Sequence, residues 1–215
     1  PYEIGNPSFN PDIYIINRDG SEEEKLTDNK KSYGLSVCKS SNLIVYITEL
    51  EKKTIKIYSM NQNGINKKDI FESQIDITHL DISPGGTEIV FCTYDSIYKY
   101  SINESNTRQL IEAGDLYYSS PKWSPDGEEI LYFVGERTFT KMSIYVMDKN
   151  GGNKRKVVSN IAFYDAAWSP DGERIIFMTE EDGANSLYIV NKDGTGLKEI
   201  KLPLDKSYKI YGIDW

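Results

Sequence analysis

The chain has 215 residues, of which 39% are hydrophobic and 27% charged, and its formal net charge is −8. That length suits one large domain or two small ones. The acidic balance argues against nucleic acid and anionic membrane as partners, since both are polyanions, and no apolar run is long enough to span a bilayer.

The chain opens on Pro1-Tyr2 rather than Met, so the lack of a leader says nothing about targeting. Ile13-Tyr14-Ile15-Ile16 reads as a strand, Arg18-Asp19-Gly20 as its turn and Glu22 to Thr27 as a second strand. These two strands resemble the second half of a unit that recurs four times downstream. Each recurrence begins with a short apolar strand ending at a marker residue: Val37, Ile82, Trp123, Trp168 and finally Trp215. Subtracting residue numbers gives intervals of 45, 41, 45 and 47 residues.

A turn follows each marker. Its fullest forms are Trp123-Ser124-Pro125-Asp126-Gly127 and Trp168-Ser169-Pro170-Asp171-Gly172. Weaker copies are Ile82-Ser83-Pro84-Gly85-Gly86 and Val37-Cys38-Lys39-Ser40-Ser41. Proline fixes the first corner, aspartate tolerates the second, and glycine takes the positive φ that closes the hairpin. A β-branched and aromatic strand comes next, as in Ile175-Ile176-Phe177-Met178-Thr179. Third strands lie at Ile57 to Met60, Lys99 to Ile102, Ile144 to Met147 and Leu187 to Val190. They end in the turns Asn63-Gly64, Ser105-Asn106, Asn150-Gly151 and Asp193-Gly194. The fourth strands are polar, at Asn66 to Ile70, Thr107 to Ile111, Asn153 to Val158 and Leu197 to Ile200, as befits outer edges.

Four strands per unit of about 40–45 residues is the signature of a β-propeller blade. The C-terminal Tyr211-Gly212-Ile213-Asp214-Trp215 reads as a first strand, and Tyr2 falls where a second strand belongs. The expectation is therefore an all-β, five-bladed propeller of four-stranded antiparallel blades in one domain, 1–215. The blades span about 33–70, 78–111, 118–158 and 164–200, with a fifth zipped from 208–215 and 1–27. The two cysteines, Cys38 and Cys92, fall in equivalent regions of different repeats and read as free thiols rather than a disulfide.

The pattern Trp-Ser-Pro-Asp-Gly-x-x-Ile-x-Phe, followed by Leu-Tyr-Ile-Val-Asn-x-Asp-Gly, resembles the repeat of TolB-like, WD40-like propellers over essentially the whole chain. The resemblance implies a propeller fold, a tendency to bind proteins or peptides, a periplasmic or extracellular setting, and no catalytic residue. It also leaves open a sensor-like domain or the propeller domain of a larger peptidase. TolB itself carries six blades and an extra N-terminal domain, whereas five units are read here.

Within that frame, Trp123, Trp168 and Trp215 are read as wedges between blades. Pro125, Asp126, Gly127, Pro170, Asp171 and Gly172 are read as turn formers; one carboxylate per turn is too few for a calcium loop, so no metal or other cofactor is expected. His79 is the only histidine, and no Gly-x-Ser-x-Gly elbow accompanies it. Three residues before the markers stand Gly34, His79, Ser120, Asp165 and Gly212; four before stand Tyr33, Thr78, Ser119, Tyr164 and Tyr211. Repeats that agree elsewhere and differ here suggest a ring of varied chemistry at the mouth of the central channel. The candidate binding residues are Tyr33, His79, Tyr118, Ser120, Tyr164, Asp165 and Tyr211, for a protein or peptide partner or a small polar ligand. A glycoside hydrolase is the alternative, its carboxylate pair drawn from Asp81, Asp165 and Asp214. The loop 136–141 offers Phe139 as a further contact.

Overall fold

The computed structural model describes residues 11–136, 141–181, 184–201 and 213, and it is built almost wholly of antiparallel strands. A two-stranded sheet comes first, β1 (Tyr14–Ile15) with β2 (Glu24–Lys25). Four four-stranded sheets follow in chain order. The first is β3 (Ser32–Cys38), β4 (Leu43–Glu49), β5 (Ile55–Asn61) and β6 (Lys68–Ser73). The second is β7 (His79–Ile82), β8 (Glu88–Cys92), β9 (Ile97–Ser101) and β10 (Asn106–Ile111). The third is β11 (Leu116–Trp123), β12 (Glu129–Glu136), β13 (Met142–Asp148) and β14 (Arg155–Ile161). The fourth is β15 (Phe163–Trp168), β16 (Arg174–Glu181), β17 (Ala184–Asn191) and β18 (Lys198–Ile200). Each is a simple meander in which every strand pairs with its chain neighbour. The helical content of the described residues is one 3-10 turn, Glu51–Lys53.

Second strands are buried on both faces, which is why they read as unbroken apolar runs rather than alternating ones. In β4, the five residues Ile44 to Thr48 are all buried. Outer strands show the reverse: β10 exposes its first four residues. Two outer strands begin later than the sequence predicts, at Lys68 and Arg155 rather than Asn66 and Asn153. Both asparagines adopt a left-handed backbone, with φ of 58° and 49°, and so belong to the preceding turn.

Neighbouring sheets share cores. Ile13 and Leu26 of the two-stranded sheet pack with Ile44, Tyr46 and Met60 of the first. Ile47 and Ile57 of the first pack with Leu80, Ile89 and Phe91 of the second. Trp123 and Tyr132 of the third sheet meet Val90 and Ile97 of the second, and Trp168 and Phe177 of the fourth meet Leu131 and Ile144 of the third. First strands lie side by side, β3 against β7 and β7 against β11, so they form an inner wall with the fourth strands outermost. At the markers, Ile82, Trp123 and Trp168 are buried, whereas Val37 stands 42% exposed.

The turns interlock as well. The Pro84 ring lies 3.6 Å from the position a Cβ on Gly127 would take, and Pro125 stands in the same relation to Gly172. Both glycines have positive φ, 73° and 71°. Within each turn the serine hydroxyl accepts a backbone N–H, from Glu129 to Ser124 and from Arg174 to Ser169, both at 2.9 Å. Asp126 and Asp171 accept the same serine hydroxyl and a backbone N–H, which holds both carboxyls below the usual range. Cys38 and Cys92 are free and buried but not equivalent: Cys38 closes a first strand and Cys92 a second. The expected pairing of Tyr211 to Trp215 with the strand at Tyr2 to Pro7, and the Phe139 loop, lie outside the described residues.

Candidate functional site

The inner wall is held by side chains that reach from one sheet to the next. Those one residue before the markers do most of it. The Ser36 hydroxyl donates to Asp81 Oδ1 at 2.6 Å and accepts the Ile82 N–H at 3.2 Å. Asp81 Oδ2 accepts the Trp123 N–H at 2.8 Å. Lys122 Nζ donates to the Ala166 carbonyl at 2.6 Å and to Asp165 Oδ1 at 2.8 Å. Asp165 Oδ2 then accepts the Ile213 N–H at 3.2 Å. Successive first strands are thus tied through a serine, two aspartates and a lysine, all in the same direction around the wall.

The electrostatics follow from this burial. Desolvation pushes the Asp81 carboxyl up to about 6, against the pull of Ser36, the Trp123 N–H and Lys122. His79 keeps an open edge but is otherwise enclosed. Burial and then the Lys122 ammonium hold its pKa below the ordinary value, with Asp165 pulling the other way. Its Nδ1 stands 4.0 Å from Cys92 Sγ. That thiol is pushed up to about 11 by burial, so it is neither a thiolate nor an activated nucleophile at neutral pH.

Three of the four first strands bulge at the level read as the mouth. The register slips between Tyr33 and Ser36, between Ser119 and Lys122, and between Phe163 and Asp165. Gly34 and Ser120 sit in these bulges with φ of 54° and 47°. A Cβ on Gly34 would also come within 2.9 Å of Ile47. Part of the variation three residues before the markers is therefore a backbone requirement.

The wall brings His79, Lys122 and Asp165 together, and Ser120 joins them through its N–H, which faces Cys92. Tyr33 is half-buried at the start of β3. Its phenol is pushed up to about 12 by burial, then by Glu49, Asp76 and Tyr94. Tyr118 turns away from this group. It packs on the core between the second and third sheets, its ring 6.4 Å from that of Tyr132. Tyr164 lies in the backbone of β15, while Tyr211, Gly212, Asp214 and Trp215 fall outside the described residues.

Three residues at this end escape a reading of the sequence. Lys122 stands one before its marker, the same level as Asp81 and Asp214, and it escapes because only carboxylates are read as candidates there. Tyr117 and Tyr94 come from different sheets, and their rings meet at 5.9 Å. Their only sequence signal is the local density of tyrosine. Among the described residues, no three His, Cys, Asp or Glu side chains are grouped to hold a metal. No helix there is long and apolar enough to cross a membrane.

A family model described as TolB beta propeller domain matches residues 36–208. The chain is similar in structure to an oligogalacturonate lyase in complex with manganese, at TM-score 0.68 and 14% identity over 88% of this chain and 59% of that one. It is likewise similar to a putative TolB from Agrobacterium tumefaciens, at TM-score 0.68 and 17% identity over 86% and 72%. An acylaminoacyl peptidase from Pyrococcus horikoshii gives TM-score 0.62 and 17% identity over 88% of this chain and 34% of that one. The chain spans about three fifths of the lyase and one third of the peptidase. At these identities the likeness is one of fold. A comparison with curated proteins finds no match.

Proposed function

Since the chain belongs to the TolB beta-propeller domain family, we propose that it is a non-catalytic binding propeller that takes a protein, a peptide or a small polar ligand at the mouth of its channel. The observation that carries this reading is the direction in which the inner-wall groups point. Asp81 and Asp165 are both bonded to neighbouring first strands, and Lys122 bridges to the fourth sheet. A general acid and base need lone pairs and protons aimed at a substrate. Here they are aimed at the next sheet, which makes a rigid frame, while tyrosines and His79 supply the surface. Tyrosine combines a stiff apolar body with a polar tip and suits such a role.

The same reading takes 1–215 as one five-bladed domain. Its fifth blade would be completed around β1 and β2 by 208–215. The bond from the Ile213 N–H to Asp165 supports a further first strand beside β15. The family match supports a periplasmic or extracellular setting.

One observation favours a second reading, an enzyme of glycoside-cleaving type. Burial holds Asp81 at about 6, within the working range of a general acid. The structural likeness to an oligogalacturonate lyase belongs with this reading, and the likeness to a peptidase propeller with that of a domain of a larger enzyme.

The test is selection of a displayed random peptide library on the immobilised chain, followed by calorimetry of the best peptide. Binding that His79→Ala weakens by about fivefold or more is expected for a mouth contact. Failure to select any peptide, or binding indifferent to mouth substitutions, would overturn the proposal. So would turnover of oligogalacturonate with manganese, read as ultraviolet absorbance of an unsaturated product.

A further inference from the structure

The ribbon of β1 and β2 meets the first sheet along only part of one face. Ile13 and Leu26 of that face are buried against Ile44, Tyr46 and Met60. Side chains two residues on share the face. The next cross-strand pair, Ile15 and Glu24, is nevertheless exposed, Ile15 by 39%. Between this stretch of ribbon and the turns of the first sheet lies an open cleft of about 390 Å³, whose walls include Ile15, Ile16, Glu22, Glu24, Asn42 and Gln62. Asn42 closes the turn after a marker and Gln62 follows a third strand, so the cleft lies at the end of the strands opposite the mouth.

The same place between the third and fourth sheets is closed. Counted along the repeat, Val146 corresponds to Ile15, Arg155 to Glu24, Lys192 to Gln62 and Glu173 to Asn42. Val146 is fully buried in the core those two sheets share. Arg155 Nε donates to the Lys192 carbonyl at 3.3 Å, and the Arg155 guanidinium donates to Glu129 at 2.7 Å. The Lys192 N–H donates to the Glu173 carbonyl at 2.9 Å and its ammonium to the Glu173 carboxylate at 3.0 Å. These bonds have no counterpart in the cleft. Among the described residues, Glu24 forms no ion pair, and the Asn42 and Gln62 side chains make no hydrogen bond. Lys25, next to Glu24, is engaged by Asp12 and Asp28 instead.

The chemistry of the lining is narrow. Every polar side chain in it is an amide or a carboxylate, with Asn17 and Asn63 completing the set. The Asn17 amide donates to Glu22 at 2.9 Å and to Ser21 Oγ at 3.1 Å, which orients the Glu22 carboxylate. Asn42 is fixed in a left-handed backbone, φ 55°, and its N–H donates to the Lys39 carbonyl at 3.3 Å. Carboxylates only accept hydrogen bonds, whereas side-chain amides both accept and donate. An ammonium ligand, which only donates, would leave the amide NH2 groups without acceptors. An anion would set its charge against Glu22 and Glu24. A hydroxyl donates and accepts, and so satisfies both kinds of group. Arg18 and Lys39 belong to the same turns, but neither lines the cleft nor pairs with its carboxylates. Ile15 and Ile16 supply an apolar wall beside the polar groups.

We propose that this cleft is a binding site for an uncharged saccharide. Its hydroxyls bond to Glu24, Asn42 and Gln62, and the C–H face of its ring lies on Ile15 and Ile16. A planar amide or carboxylate offers two polar atoms side by side, which matches a pair of adjacent hydroxyls. The volume falls within the range of roughly 300–1,000 Å³ typical of small-molecule sites. The site lies at the other end of the molecule from the mouth and does not depend on what binds there.

The experiment is a titration of the whole chain, labelled with 15N, followed by NMR of its side-chain amides. The probes are the methyl glycosides of glucose, galactose, mannose and N-acetylglucosamine, with galacturonate and spermidine as charged controls. Amide signals that disappear in Asn42→Gly and in Gln62→Ala identify the cleft. The expected result is saturable shifts of those signals with at least one neutral glycoside, and none with the two controls. Affinity, read from the remaining cleft signals, should fall about fivefold or more in Gln62→Ala and in Glu24→Ala, each of which removes a hydrogen-bonding group. Asn42→Gly keeps the left-handed backbone while removing the amide, so it decides the matter if another variant fails to fold. Absence of saturation by every neutral glycoside up to about 50 mM would overturn the proposal. So would an equal response to galacturonate or spermidine, or undiminished affinity in all three variants. Glycoside binding that survives these variants but is lost in His79→Ala would place the sugar at the mouth and likewise overturn it.

Discussion

Trp123 and Trp168 hold the same place in successive repeats, yet their indole N–H groups fare differently. Trp168 Nε1 donates to the Lys122 carbonyl at 3.2 Å, whereas Trp123 Nε1 is buried without an acceptor among the described residues. Replacing either by phenylalanine removes similar packing but only one hydrogen bond. Trp168→Phe should therefore cost about 1 kcal/mol more than Trp123→Phe in urea unfolding. Asp81 offers a second test, through pH. Its folded pKa of about 6 lies above the ordinary aspartate value of 3.8, so the native state binds this proton more readily than the unfolded chain. Stability contributed by protonated Asp81 is present below about pH 4 and is lost as pH rises to about 6. The stability deficit of Asp81→Asn relative to the parent should be largest near pH 4 and shrink toward pH 7. Melting temperatures of the two proteins across that range check it; a constant difference would refute the assignment.

At the scale of elements, the hairpin after each marker was the most legible feature, because its demands are local. Proline, aspartate and glycine each answer one dihedral requirement, and the serine accepts a backbone N–H. What the repeats do not tell is how closely consecutive turns approach. A Cβ on Gly172 would meet only Pro125, at 3.6 Å, while one on Gly86 would fall 2.3 Å from Ser41 Oγ and 2.8 Å from its Cβ. Gly172→Ala should cost about 1 kcal/mol, from the left-handed backbone alone. Gly86→Ala should cost clearly more, since a neighbouring turn must also shift. Denaturant midpoints of the two variants rank them. The late starts of β6 and β14 were missed for a related reason. Asparagine tolerates both a strand entry and a left-handed turn, and composition does not separate the two.

At the scale of the molecule, strand order and sheet number were readable from the repeat alone, because a blade must be covered by its neighbours on both faces. The site was not readable to the same degree. Asp165 and His79 stand out in the sequence because they break the repeat, but Gly34 and Ser120 break it for the sake of a bulge. Tyr94, Tyr117 and Lys122 meet their partners only across sheets, at sequence separations that no local pattern encodes. If the ring is closed as proposed, removing residues 202–215 takes away the Ile213 N–H that Asp165 accepts and a whole first strand. Loss of several kcal/mol, about that of a few buried strand residues, is expected, with a broadened unfolding transition. An unchanged midpoint would argue for an open arc.

The inner-wall bonds also have a consequence for the order of the repeats. Each inward side chain is matched to its successor alone: Ser36 to Asp81, Asp81 to the strand of Trp123, Lys122 to Asp165. Units that look interchangeable by their turns are therefore not interchangeable by position. If the ring is closed as proposed, recutting the chain between β6 and β7 and joining its present ends with a linker would preserve every one of these pairs, and a circular permutant should fold. Exchanging the second and third repeats would set Lys122 beside Ser36 and leave Asp165 facing Asp81, two carboxylates with no cation between them. The inner wall is a sentence whose words cannot be transposed.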